Sequence, residues 1–165
     1  MKIGIIYTTL NKSTKKSCEI LSDKINADVQ LIPVEKAKTE CILKYNFIII
    51  AGSAINAKVQ RNLKLYISHN IKNLKEKPLG LIINCEENID RYKKTFSEEL
   101  LNSSCIYSNF GYELNPYDGN YIERLKTNKL INKYKKEDKE LPSLNIDEIN
   151  KFASYINNLI EKRIG

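Results

Sequence analysis

The sequence predicts an α/β fold, a three-layer arrangement in which a doubly wound, five-stranded parallel sheet lies between helices. Short apolar runs alternate along the chain with segments of helical periodicity, the pattern of successive βαβ units. The clearest run, Phe47-Ile48-Ile49-Ile50-Ala51, is continuously apolar between Asn46 and Gly52, which suits a strand buried on both faces. Polar segments follow three of the strands, where sheets of this kind bind their ligands.

The first strand is read at Ile3–Tyr7 and ends in the polar turn Thr8–Lys12. Ser13–Ile25 follows as a helix, with Cys18, Ile20, Leu21 and Ile25 at roughly helical intervals and Ser13 or Asn11 as candidate caps. Val29–Val34 is the second strand, and a short helical connection over Glu35–Leu43 leads to the third. The next helix is predicted over Val59–Ile71, with Leu63, Tyr66, Ile67 and Ile71 on one face. Pro78 opens the fourth strand, Leu79–Asn84. Arg91–Leu101 reads as a helix and Ser104–Ser108 as a weak fifth strand. A less regular stretch, Asn109–Leu141, has a helical centre near Tyr121–Tyr134. The last helix starts at Asn145, an N-cap with Glu148 three residues on, and continues through Ile149, Phe152, Ile156 and Ile160. With no internal repeat and no low-complexity linker, residues 1–165 read as one domain.

Composition narrows the function classes. The chain has 165 residues, 42% of them apolar and 28% charged, ordinary values for a globular protein. No stretch approaches the roughly 20 apolar residues of a membrane span, and Met1-Lys2 runs directly into a strand, so a cytoplasmic location is expected. Cys18, Cys41, Cys85 and Cys105 form no CxxC pair and His69 is the one histidine, so no metal site is expected. The cysteines read as buried, reduced thiols, and His69 as a solvated residue on a charged helix face. The net charge of +7 comes from lysines scattered through helices, with no arginine tract or aromatic–basic motif, so specific nucleic-acid binding is not expected.

The segment Thr8-Thr9-Leu10-Asn11-Lys12-Ser13-Thr14 places four hydroxyl residues around a strand-to-helix turn. A helix N-terminus offers unpaired N–H groups and a partial positive charge, both suited to phosphate, and the hydroxyls add donors without adding charge. Helix capping alone accounts for the same residues equally well. The loop is not a Walker A loop, because GxxxxGK is absent.

These residues resemble the phosphate loop of flavodoxins, in which Ser/Thr-x-Thr-Gly and a following Thr wrap the FMN phosphate. The resemblance is closest to the flavodoxin-type protoporphyrinogen oxidases and related flavodoxin-domain proteins. Thr8, Thr9 and Thr14 stand at matching positions, Asn11 replaces a common Asp, and Lys12 stands where that group usually has Gly. Asn11, which tolerates positive φ, is expected to absorb part of the turn. Ile48–Ile55 resembles the strand and second flavin loop of these relatives, in which an apolar strand ends in Gly-Ser-Ser-Ile. Phe110-Gly111-Tyr112-Glu113-Leu114, followed by Tyr121-Ile122-Glu123-Arg124-Leu125, is similar to the stretch that follows their fifth strand.

The resemblance implies a flavodoxin-like fold with FMN as cofactor. The implied contacts are Thr8 to Thr14 on the phosphate, Ser53, Ala54, Ile55 and Asn56 from the second loop, and Asn84 and Cys85 from the third, Asn84–Asn88. Cys85 also reads simply as a buried strand-end thiol. The relatives carry an aromatic and a glycine after the Ile, where this chain has Asn56-Ala57. Two functions therefore stand: an FMN-binding redox protein, or a flavodoxin-like module that has lost FMN and binds another anionic ligand or a protein. Lys58, Arg61 and Lys64, spaced by three, join Lys12, Lys15 and Lys16 in a basic rim suited to an anionic substrate such as a porphyrinogen, or to an acidic redox partner. A solvated helix surface is the plainer reading of that rim. A second basic stretch, Lys126–Lys139, admits peripheral contact with anionic lipid.

Overall fold

The computed structural model describes residues 1–8, 12–55, 58–85 and 96–164. In chain order the elements are β1 (Lys2–Tyr7), α1 (Ser13–Lys24), β2 (Asp28–Pro33), a 3-10 turn (Val34–Lys36), α2 (Thr39–Lys44), β3 (Phe47–Ile55), β4 (Lys58–Val59) and α3 (Arg61–Lys75). They continue with β5 (Leu79–Asn84), α4 (Glu98–Ser103), β6 (Ile106–Asn109), α5 (Tyr121–Lys136) and α6 (Ile146–Ile164).

Five strands form a parallel sheet in the order β2-β1-β3-β5-β6, and β4 folds back antiparallel on the end of β3. The strand order reverses between β1 and β3, so the crevice expected to hold a ligand lies beyond the carboxyl ends of those two strands. Alternation along the strands divides the interior. Ile3, Ile5, Phe47, Ile49 and Ile82 face α1 and α6, meeting Leu21, Phe152 and Ile156. Ile6, Ile48, Ile50, Leu81 and Ile83 face the other way, toward Ile42, Leu63, Ile67 and Leu100 of α2, α3 and α4. Both faces are covered, which is why these strands are apolar throughout.

Two strand glycines record how closely the outer layers approach. A Cβ on Gly80 would lie 2.8 Å from Cζ of Phe152, and one on Gly4 would lie 2.7 Å from Cδ2 of Tyr45. Each glycine thus makes room for an aromatic ring from a covering segment. Phe152 also meets Phe110 edge-on, with ring centroids 5.5 Å apart.

Several elements differ from their sequence reading. Residues 52–55, read as a loop, continue β3 into the β4 hairpin, and α3 starts at Arg61 rather than Val59. Lys58 is therefore a strand residue and shares no helix face with Arg61 and Lys64. The helix predicted from Arg91 is capped at Ser97, whose Oγ accepts from Leu100 N at 3.3 Å; residues 91–95 lie outside the described part. The fifth parallel strand is shifted to Ile106–Asn109. Asn145 does cap α6, its Oδ1 accepting from Glu148 N at 3.1 Å. The reciprocal half of the capping box is missing, because Asn145 N donates instead to Phe110 O. Cys18 and Cys85 are buried as expected, whereas Cys105, at the turn into β6, is exposed. His69 is exposed. Among the described residues no helix is long and apolar enough to cross a membrane.

Candidate functional site

The carboxyl ends of β1, β3 and β5 and the N-terminus of α1 meet at one edge of the sheet. Thr8 closes β1: its N–H donates to Ala51 O at 3.0 Å, and its hydroxyl donates to the side-chain oxygen of Gln60, just after β4. The hairpin that carries β4 is thereby tied to the end of the first strand. Lys12 precedes α1 with φ of 59°, in the left-handed region. The lysine that stands in place of glycine thus adopts the left-handed conformation itself; the part of the turn expected of Asn11 lies outside the described residues. Thr9, Leu10 and Asn11 lie outside the described residues, as do Asn56 and residues 86–88.

Lys12, at the N-cap of α1, makes no side-chain capping bond, and the first turn of the helix holds no acidic residue. The first intrahelical bond runs from Lys16 N to Lys12 O at 2.9 Å, so the N–H groups that open the helix point outward without helical partners. Ser13 does not cap; its Oγ accepts from Glu113 N at 3.1 Å, leaving its own proton to donate. Thr14 is fully buried, and its hydroxyl has no partner among the described residues. One turn on, Ser17 Oγ lies 2.9 Å from Thr14 O and 3.2 Å from Asn84 Oδ1. Asn84 Nδ2 donates to Gly111 O at 2.8 Å, so both ends of this predicted ligand residue are already engaged within the protein.

Ser53 stands in register with Asn84 across β3 and β5, and its buried hydroxyl also has no partner. Ala54, buried on the same strand, pairs with Val59, and Ile55 pairs with Lys58. Cys85 is buried, and its backbone is clamped on both sides by Asn109: Cys85 N donates to Oδ1 and Nδ2 donates to Cys85 O, each at 3.2 Å. The plainer reading of Cys85 as a strand-end thiol describes this position.

The segment after β6, to which no predicted site residue belongs, also reaches this edge. Gly111, at φ of 64°, passes so near Ser143 that a Cβ would lie 2.5 Å from its carbonyl oxygen. The chain then crosses the N-terminus of α1, where Glu113 pairs with Lys16 at 2.7 Å and Asp118 with Lys12 at 3.1 Å. Its signal was the Phe110–Leu114 motif, noted for its likeness and not for any contact.

The flavodoxin-domain sequence profile matches residues 4–141. The chain belongs to the flavodoxin-domain family. No curated protein matches it in sequence. Among solved structures it is similar to a flavodoxin from the domain Archaea, at 13% identity and a TM-score of 0.55, covering 79% of this chain and 93% of that one. It is also similar to the Streptococcus pneumonia TIGR4 flavodoxin, at 9% identity and 0.55, covering 94% and 97%. A third similar structure is the rubredoxin oxygen:oxidoreductase of Desulfovibrio gigas, at 10% identity and 0.55, where the match covers 94% of this chain but 36% of that one. At such identities the likeness is one of fold, and the five-stranded α/β flavodoxin-like fold is shown.

Membership of the flavodoxin-domain family implies FMN as the cofactor. The phosphate end of FMN fits what this edge offers. A buried hydroxyl without a partner costs free energy unless something supplies one, and Thr14 and Ser53 present two of them. The open N–H groups of α1 lie beside Thr14, in a turn with no carboxylate of its own.

Proposed function

We propose that this flavodoxin-domain protein binds FMN and acts as a redox protein of the cytoplasm. It exchanges electrons with a partner protein or oxidises a small anionic substrate, polycarboxylates of the porphyrinogen kind included. The observation that carries the proposal is the pair of buried hydroxyls that have no partner among the described residues, Thr14 in the first turn of α1 and Ser53 near the carboxyl end of β3. Bound FMN supplies one- and two-electron chemistry. The protein's own part is to hold the phosphate with α1 N–H groups and the hydroxyls of Thr14, Ser53 and Ser13. Residues 1–165 are taken to work as one domain.

A second reading, a module of the same fold that takes another anionic ligand, is favoured by one observation. After Ile55 the chain has Asn56-Ala57 where the relatives carry an aromatic and a glycine, and Asn56 cannot stack on a flavin ring.

A visible absorption spectrum of the purified protein, taken after saturation with FMN and desalting, separates the two. Retained flavin bands support FMN; a colourless protein stabilised by inorganic phosphate alone supports the second reading. Thr14→Val then tests the site itself. It removes a hydroxyl with nothing to bond in the free protein, so stability should hold or rise by about 1 kcal/mol. A hydrogen bond to a charged group is worth about 1.5–3 kcal/mol, so FMN affinity by calorimetry should fall roughly 10- to 100-fold. Unchanged FMN affinity would remove Thr14 from the site.

A further inference from the structure

Helix α5 is the one long helix that takes almost no part in the core. Of its described side chains only Ile131 is buried. With 3.6 residues per turn, Ile122 and Leu125 project from the side opposite Ile131. Together with Tyr117 and Tyr121 they form an exposed patch, at 83% for Tyr117, 73% for Tyr121, 62% for Ile122 and 51% for Leu125. Four large apolar or aromatic side chains held in water on adjacent turns mark an interaction surface. Beyond them on the same side, Lys126, Lys129, Lys133 and Lys136 continue the face to the end of the helix, all exposed.

This surface is fixed to the rim of the candidate site. Asp118, between Tyr117 and Tyr121, pairs with Lys12 at the opening of α1, and Arg124 Nε donates to Gly119 O at 3.2 Å, holding the turn against the helix. The aromatic patch therefore begins where the crevice ends.

From this geometry we infer that α5 and the turn before it are the docking face for a small acidic electron-carrier protein. The inference rests on the redox reading above and names its partner class. The chemistry is complementary: an aromatic and aliphatic centre of the kind that anchors protein interfaces, beside a lysine face that steers a negatively charged protein toward it. A lipid surface fits less well. A helix that lies in a membrane interface carries an apolar stripe along its whole length. Here apolar and basic residues are separated along the axis, in the first and later turns of the same side. The +7 net charge is consistent with an acidic partner.

The test uses the full chain loaded with FMN and an acidic bacterial ferredoxin as probe, with dissociation constants measured by calorimetry at low and high salt. Wild-type protein should bind, and affinity should fall as salt screens the lysines. Combining Lys126→Glu, Lys129→Glu and Lys136→Glu should weaken binding at least tenfold at low salt. The double substitution Tyr121→Ser and Ile122→Ser should weaken it by a similar factor at both salt concentrations. A control with Lys24→Glu, Lys44→Glu and Lys77→Glu, at the amino edge of the sheet, should leave affinity within twofold of wild type. FMN titration of every variant keeps the two readings apart: loss of FMN binding in wild type removes the redox reading, while ferredoxin affinity still decides the docking face. The inference is overturned if ferredoxin does not bind. Equal weakening by both lysine triples, or wild-type binding to phosphatidylglycerol vesicles in preference to ferredoxin, also overturns it.

Discussion

Lys12 occupies a backbone conformation that a Cβ disfavours, at φ of 59°, and its exposed ammonium pairs with the half-buried carboxylate of Asp118. A left-handed residue other than glycine costs about 1–2 kcal/mol, whereas an exposed ion pair contributes about 0–1 kcal/mol. Lys12→Gly is therefore expected to raise stability by up to about 1 kcal/mol, or about 2–4 °C in thermal midpoint for a chain of this size. A fall of several degrees would show that the lysine side chain anchors the turn. Glu148 is the second residue whose surroundings set its behaviour. Hydrogen bonds from Lys151 and then from the Ser108 hydroxyl, both at 2.7 Å, hold its carboxyl below the ordinary value of 4.5. Because the folded value is lowered, the stabilisation is present above the ordinary carboxylate range and is lost as pH falls through the folded value. Glu148→Gln should lower the thermal midpoint at pH 7 and shrink the gap to wild type as the solution is acidified below about pH 4. A gap that stays constant with pH would refute this linkage.

At the scale of elements, the contact between β5 and α6 is the tightest to probe. Gly80→Ala places a methyl against Phe152 with Phe47 behind it, and overpacking of this kind costs about 1–3 kcal/mol. Denaturant unfolding should show that loss, and pairing Gly80→Ala with Phe152→Leu should recover part of it. If the pair adds without coupling, the two residues are not in contact in solution. The central strands and α6 were legible because their patterns are local: a continuous apolar run for β3, and helical spacing from Ile149 to Ile160 behind the Asn145 cap. The end of β3 was not. Gly52-Ser53-Ala54-Ile55 looks like a loop by composition and is held as strand by pairing with β5 and with the short β4, partners that residue order does not reveal.

For the whole molecule, ligand binding and stability are linked. FMN at about one hundred times its dissociation constant should stabilise the native state by about 2.7 kcal/mol, a rise of about 5–10 °C for a protein of this size. The same measurement on Thr14→Val at the same FMN concentration should show a smaller rise. An equal rise in both proteins would mean that the flavin phosphate does not meet Thr14. The arrangement that gives this linkage is global, since α1, β3, β5 and the segment after β6 contribute to one edge.

The fold class, the order of most elements, the hydroxyl-rich turn before α1 and the family likeness are legible in the residue order, because each rests on short-range periodicity or on a contiguous motif. Which polar groups are engaged becomes visible once the chain is folded. Asn84 is bound by Ser17 and Gly111, Ser13 by Glu113, and Lys12 by Asp118, while Thr14 and Ser53 are left without partners. A hydroxyl or amide carries the same potential wherever it stands in a sequence. Whether it is satisfied depends on distant chain segments that the fold brings alongside it, 100 residues away in the case of Ser13 and Glu113.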